Sequence, residues 1–301
     1  MFSAVKVFMN AFTIKDLENL SGIKAHTIRI WEQRYSFLNP QRTETNIRYY
    51  TNYELQTILN IALLNKYGYK ISHIDRMSSE EMNEKILSLS QVQAQQERLV
   101  NELIRCMVDL KMEEFEEIID SNIRAKGIEK TIIQIIFPFL ERIGILWMTN
   151  HINPAQEHLV SNAIRQKLIV GIDSIKILLK PKETALLFLP EGEHHELALL
   201  FVHYLLKSRG MKVFYLGTNV PIKDVEYIAK LKTPDFLYTH LTSVSPNFNF
   251  EKFLINAHNR MPDRSFIVSG PLTQSYKKGV PANFKFKKSL GEVMEYVASV
   301  G

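Results

Sequence analysis

Four sets of residues between positions 147 and 270 have types and spacings that could do chemistry. Glu193-x-His195-x-x-Ala198 follows the short apolar run Leu186-Leu187-Phe188-Leu189. A neutral imidazole is a good metal ligand, and a carboxylate two residues back can hold its other ring nitrogen. Thr239-x-Leu241 offers a hydroxyl beside an apolar side chain, and Ser269-Gly270 allows close backbone approach. Upstream, Trp147 stands ten positions before the pair Glu157-His158. An indole is a flat apolar plate, and Glu and His can hydrogen-bond to sugar hydroxyls.

A second set lies near the start. Lys24, His26, Thr27 and Arg29 crowd the opening of one predicted helix, and Arg34, Arg42, Arg48 and Tyr49 follow. Side chains at a helix start can reach base edges or phosphates, and a guanidinium grips a phosphate with two parallel hydrogen bonds. Residues 1–80 hold ten Lys/Arg against seven Asp/Glu, so placement must supply what bulk charge does not.

The elements that position these groups follow from periodicity and turn signals. Thr13 and Asp16 mark a helix start, Ile14, Leu17 and Leu20 share a face, and Gly22 suits a left-handed turn. A second helix runs from Lys24 through Glu32, and Pro40 to Tyr50 reads as a two-stranded wing. Ser78 to Glu97 is polar and Gln-rich, the composition of a linker or of a helix exposed on most sides. Apolar helical runs follow at Leu99–Leu110, Ile128–Trp147 and His158–Val170, and predict a bundle. Beyond residue 182 strand and helix alternate, which predicts a parallel sheet covered on both faces, with ligands at the carboxyl ends of its strands.

The segment Thr27-Ile28-Arg29-Ile30-Trp31-Glu32-Gln33-Arg34-Tyr35, with the wing Arg42 to Tyr50, resembles the MerR family of winged helix–turn–helix regulators. The second-half series resembles the cobalamin-binding module shared by methionine synthase and the light-sensing CarH and LitR regulators. The resemblance implies DNA contacts from Lys24, His26, Thr27, Arg29, Arg34, Arg42, Arg48 and Tyr49. It implies a corrin capped by Trp147, Glu157 and His158. His195, backed by Glu193, would be the lower cobalt ligand, and Thr239, Leu241, Ser269 and Gly270 would line the buried nucleotide tail. Three positions depart from the pattern. Ala198 and Ser269 stand where relatives usually have Gly. Met148 stands where light-sensing relatives place a His, which counts against a light-triggered swap to two histidines because a thioether is a poor substitute for imidazole on oxidised cobalt.

The expected fold class is therefore a mostly α winged helix–turn–helix head, a helical bundle and an α/β flavodoxin-like parallel sheet. The expected domains are 1–80 for the head, 81–97 for a linker, 98–181 for the bundle and 182–301 for the sheet module. The expected function is a transcription regulator, not an enzyme, controlled by adenosylcobalamin or methylcobalamin between bundle and sheet. Its partners would be double-stranded DNA and further copies of itself, as a dimer or tetramer. The alternative is a regulator whose sensor has lost cobalamin and answers another ligand or a protein partner. With one cysteine in 301 residues no internal disulfide can form, and no segment reaches the ~20 apolar residues a bilayer span needs, so a cytoplasmic protein without a membrane partner is expected.

Overall fold

Thr13 starts the first helix, α1 (Ile14–Ser21), with a reciprocal capping box. Its N–H and hydroxyl both donate to Asp16 Oδ2 at 2.6 Å, which lets a fully buried carboxylate stay satisfied. Gly22, at φ 74°, closes the helix in the left-handed region as expected. The second helix, α2 (Ala25–Arg34), buries Ile28 and Trp31. The wing is an antiparallel pair, β1 (Gln41–Arg42) and β2 (Arg48–Tyr49), tied to the start of the head by two Phe12–Tyr50 backbone bonds of 2.8 Å.

Thr51 and Glu54 form a second capping box that opens α3 (Asn52–Lys66). A short α4 (Ile71–Ile74) and α5 (Ser79–Leu87) follow. The Gln-rich run is no extended linker: it forms the first turns of α6 (Val92–Val108). Ala94 is buried there, and Glu97 pairs with Lys66 of α3 at 2.5 Å. A polar run can be helical when a neighbouring helix covers its one apolar stripe, and α3 does so.

The next helix, α7 (Met112–Thr131), is broken at Gly127 (φ 80°, ψ 165°). The chain then widens to π geometry over Ile132–Ile136 before α8 (Phe137–Met148). Pro138 has no N–H to offer the carbonyl four residues back, which fits a widened turn at this point. Asn153 caps α9 (Pro154–Ser174), accepting from Ala155 N at 2.9 Å, and buried Gln156 docks its amide on the carbonyls of Met107 and Val108.

The computed structural model describes residues 11–43, 45–148, 153–176, 183–242 and 248–300, and omits the side chains of 145–148. Two compact units divide at Ala163/Ile164, within α9, so the head and the helices up to the first half of α9 lie in one unit and the rest of α9 and the sheet in the other. Among the described residues no helix is long and apolar enough to cross a membrane.

In the second unit β3 (Thr184–Pro190), α10 (Leu197–Ser208), β4 (Lys212–Val220), α11 (Ile222–Lys232) and β5 (Phe236–His240) alternate. They continue through α12 (Phe250–Arg260), β6 (Phe266–Ser269), α13 (Pro271–Ser275), β7 (Phe284–Lys287) and α14 (Leu290–Ser299). All five strands are parallel, in the order β4-β3-β5-β6-β7, the flavodoxin-like order expected from the sequence. Residues Ala185 to Leu189 are wholly buried, as a strand covered on both faces requires. The β3–β4 register shifts twice, between Leu187 and Phe188 and again before Pro190. Strand order reverses between β3 and β5, so the crevice of this sheet opens at their carboxyl ends.

Candidate functional site

At that crevice β3 ends in a turn through Gly192 (φ 85°) that delivers Glu193 into the interior. Its Oε1 lies 2.7 Å from His195 Nδ1 and accepts the backbone N–H groups of His194 and His195, each at 2.9 Å. Its Oε2 accepts the Thr242 N–H at 2.8 Å. A buried carboxylate needs this many donors to stay charged, and together they fix its orientation. The His195 side chain is 50% exposed, so its Nδ1 edge turns inward while the ring reaches the surface. His194 is exposed and gives Glu193 its backbone N–H, so the ring that the carboxylate takes is that of His195.

A residue that the sequence did not single out anchors this loop from the other side. Asn219, at the end of β4, accepts from Gly192 N through Oδ1 at 2.9 Å and donates its own N–H to the Glu193 carbonyl at 3.2 Å. It sits at φ 56°, a conformation Asn tolerates better than most residues. The only sequence signal was a turn-forming residue shortly before Pro221.

Thr239 is fully buried on β5, and its hydroxyl has no hydrogen-bond partner among the described residues. Leu237 and Leu241 share its side of the strand and belong to the apolar layer packed against α11 and α12. Tyr238 and His240 face the opposite way. Ser269 Oγ lies 2.6 Å from Tyr238 Oη and 2.8 Å from His240 Nδ1. Burial pushes the His240 pKa down to about 4, against the opposing pull of the Glu193 charge. Gly270 is held at φ 103°, and a Cβ there would stand 2.2 Å from the Leu241 carbonyl oxygen. Its glycine is therefore already required by β5, whatever else approaches. Ala198 lies half-buried in the first turn of α10.

In the other unit Glu157 and His158 occupy the first turn of α9, with Oε2 and Nδ1 3.2 Å apart and His158 well exposed. Trp147 lies in α8, and its side chain, like that of Met148, is outside the described residues.

The head presents its basic residues on one surface element after another. Lys24 precedes α2 and pairs with Glu18 at 3.4 Å. His26 is exposed with its Nε2 3.3 Å from the Thr27 hydroxyl, and Arg29 and Arg34 are exposed on the same helix. In the wing Arg42 donates to Asn46 Oδ1 at 2.7 Å, while Arg48 lies 3.8 Å from Glu32 Oε2. Glu32 also accepts the Tyr50 hydroxyl, so burial and this carboxylate together keep Tyr50 protonated. Tyr49 is half-buried. Trp31 is buried with its ring edge-on to Phe37 at 6.0 Å, and half-buried Tyr35 stacks on Phe37 at 5.5 Å. Tyr53, at the start of α3, is 65% exposed near the wing and was not anticipated.

Residues 12–81 match the family described as MerR HTH family regulatory protein, and residues 99–170 match the B12 binding domain. The chain is 26% identical to the HTH-type transcriptional repressor CarA of Myxococcus xanthus, over 89% of each protein. It is 25% identical to the HTH-type transcriptional repressor CarH of the same organism, over 83% of this chain and 85% of that one. A monomethylamine corrinoid protein of Methanosarcina barkeri shares the fold across 68% of this chain and 99% of its own, with a TM-score of 0.55 at 14% identity.

Proposed function

We propose, for a chain that joins a MerR-type helix–turn–helix domain to a B12 binding domain and is homologous to CarA and CarH, that it is a transcription regulator whose hold on DNA is set by bound cobalamin. The chain is a regulator and not an enzyme, in keeping with those relatives. The observation that carries the cobalamin reading is the Glu193–His195 pair at the topological switch point of the sheet. An imidazole whose inner nitrogen is held by a buried carboxylate is oriented and made more basic at its other nitrogen.

The residues fit the cofactor in two further ways. The orphaned Thr239 hydroxyl lacks a partner within an apolar layer, an arrangement that costs about 1–3 kcal/mol unless a ligand supplies one. Ser269 does not obstruct that side, because its hydroxyl turns to Tyr238 and His240 on the opposite face of the sheet. Cobalamin, when bound, would supply a cobalt open to a nitrogen donor. His195 would supply that nitrogen, Glu193 would orient it, and Thr239, Leu241 and Gly270 would meet the nucleotide tail. Trp147, Glu157 and His158 would cap the upper face, and adenosylcobalamin or methylcobalamin would be the form bound.

Lys24, His26, Thr27 and Arg29 would face the major groove, and Arg34, Arg42, Arg48 and Tyr49 the phosphates. Two or four chains acting together would supply the affinity that a small excess of charge does not. The effector acts only through different affinities for two assembly states. The repressor role of CarA and CarH supports repression as the sign.

A visible absorption titration with adenosylcobalamin, in the dark and then lit, tests this reading beside His195→Ala. Stoichiometric uptake with a spectral change lost in the variant, and DNA affinity that differs with and without the cofactor, is expected. A protein that stays colourless after excess cofactor is removed would leave the second reading, a regulator with a repurposed sensor.

A further inference from the structure

Thr242 donates its N–H to Glu193 Oε2 at 2.8 Å, so the seating of that carboxylate depends on where β5 ends. Ser269 holds that end in three ways. Its hydroxyl meets Tyr238 Oη at 2.6 Å and His240 Nδ1 at 2.8 Å, and its carbonyl accepts the Leu241 N–H at 2.9 Å. The register places His240 and Ser269 side by side on neighbouring strands. A hydroxyl has one donor and two acceptor sites, so both side-chain contacts can be made at once. Tyr238 and Ser269 are at most 1% exposed, and buried polar contacts of this kind rigidify more than exposed ones. The next N–H along the chain is the one that Glu193 takes. Ser269, the departure from the glycine of related modules, is thus the hub of a buried polar cluster.

We propose that Tyr238, His240 and Ser269 are positioning residues for His195. They lock the carboxyl end of β5, the lock presents Thr242 N–H to Glu193, and Glu193 holds the imidazole in one orientation. The seating of Glu193 is a property of the protein alone. Its effect on a metal rests on the reading of His195 as the cobalt ligand.

Two measurements on the full chain separate these steps. The first is amide hydrogen exchange at Thr242 without added cofactor. Ser269→Ala and His240→Phe should speed it by roughly tenfold, and Tyr238→Phe, which deletes one oxygen, by less. His240→Asn keeps a polar atom near the Nδ1 position and should restore slow exchange. The second is adenosylcobalamin binding, whose visible spectrum reports whether a protein nitrogen is bound to the cobalt. Ser269→Ala and His240→Phe should weaken binding by about tenfold and leave part of the bound corrin without that nitrogen, with His240→Asn close to the wild type. Unchanged Thr242 exchange in these variants would overturn the lock, whatever the cofactor does. Faster exchange in the variants of a chain that never takes up corrin would uphold the lock and sink the cobalamin reading. Faster exchange with unchanged spectrum and affinity would overturn the link from β5 to His195.

Discussion

Glu193 holds His195 twice, taking both the imidazole Nδ1 at 2.7 Å and the backbone N–H at 2.9 Å with a single carboxylate oxygen. The loop and the ring are therefore set by the same buried group. Glu193→Gln keeps the shape and removes the charge. Cobalamin affinity should fall by about 10–100-fold, as for other partners of metal-bound histidines. Absorption titration checks this, and an affinity equal to that of the wild type would remove the carboxylate from the ligand's support.

Thr239→Val separates stability from binding. The substitution replaces the orphaned hydroxyl with a methyl of similar volume. The cofactor-free protein should gain about 1 kcal/mol in denaturant unfolding, because an unpaired buried hydroxyl is lost. Cobalamin affinity should drop by roughly fivefold to tenfold, about the worth of one hydrogen bond. A loss of stability instead would mean that the hydroxyl already has a partner.

Arg48→Ala probes the wing. Arg48 is exposed and lies 3.8 Å from Glu32, so its removal should leave the fold intact. Binding to every DNA sequence should weaken, and the slope of log affinity against log salt should fall by about one. The slope, measured by fluorescence anisotropy, discriminates: an unchanged value takes Arg48 out of the phosphate contacts.

His203 sets an acid limit to stability. Its ring stacks on Tyr215 at 5.1 Å, its Nδ1 has no partner among the described residues, and burial pushes its pKa down to about 4 from an ordinary 6.5. Below pH 6.5 the unfolded chain takes up a proton that the folded chain refuses. Stability should therefore be level above that pH and fall from there toward pH 4. His203→Phe should flatten part of this limb in chemical unfolding at several pH values, with His240 responsible for the remainder. An identical slope in the variant would assign the acid loss to other groups.

Much of this architecture is legible in the sequence because it follows from local rules. Thr13, Asp16 and Gly22 announce α1, and the apolar run at 186–189 announces a doubly covered strand. The Glu193–His195 pair could be found because its two members are two residues apart. Asn219, Thr242 and the Tyr238–His240–Ser269 cluster could not, since their partners come from strands that only the sheet order brings together. The run at 91–97 left a linker and a mostly exposed helix both open, and the structure takes the helix: its composition is polar, and the cover for its single buried stripe comes from a helix some thirty residues earlier. The helical run expected from Ile128 does begin just past the break at Gly127, but the helical turns before it, from Met112, carry too few apolar residues to be read from spacing.

The double slip between β3 and β4 makes chain length itself a constraint. From Leu187 to Pro190 four positions of β3 run beside six of β4, Tyr215 to Val220. The surplus carries Asn219 across to Gly192 and Glu193. Removing a codon between Leu216 and Thr218 would make the ladder more regular and would also withdraw the amide that braces the loop. Insertions and deletions in this stretch cannot be absorbed without moving Asn219, and a regular edge would be the sign of a loop that has lost its brace.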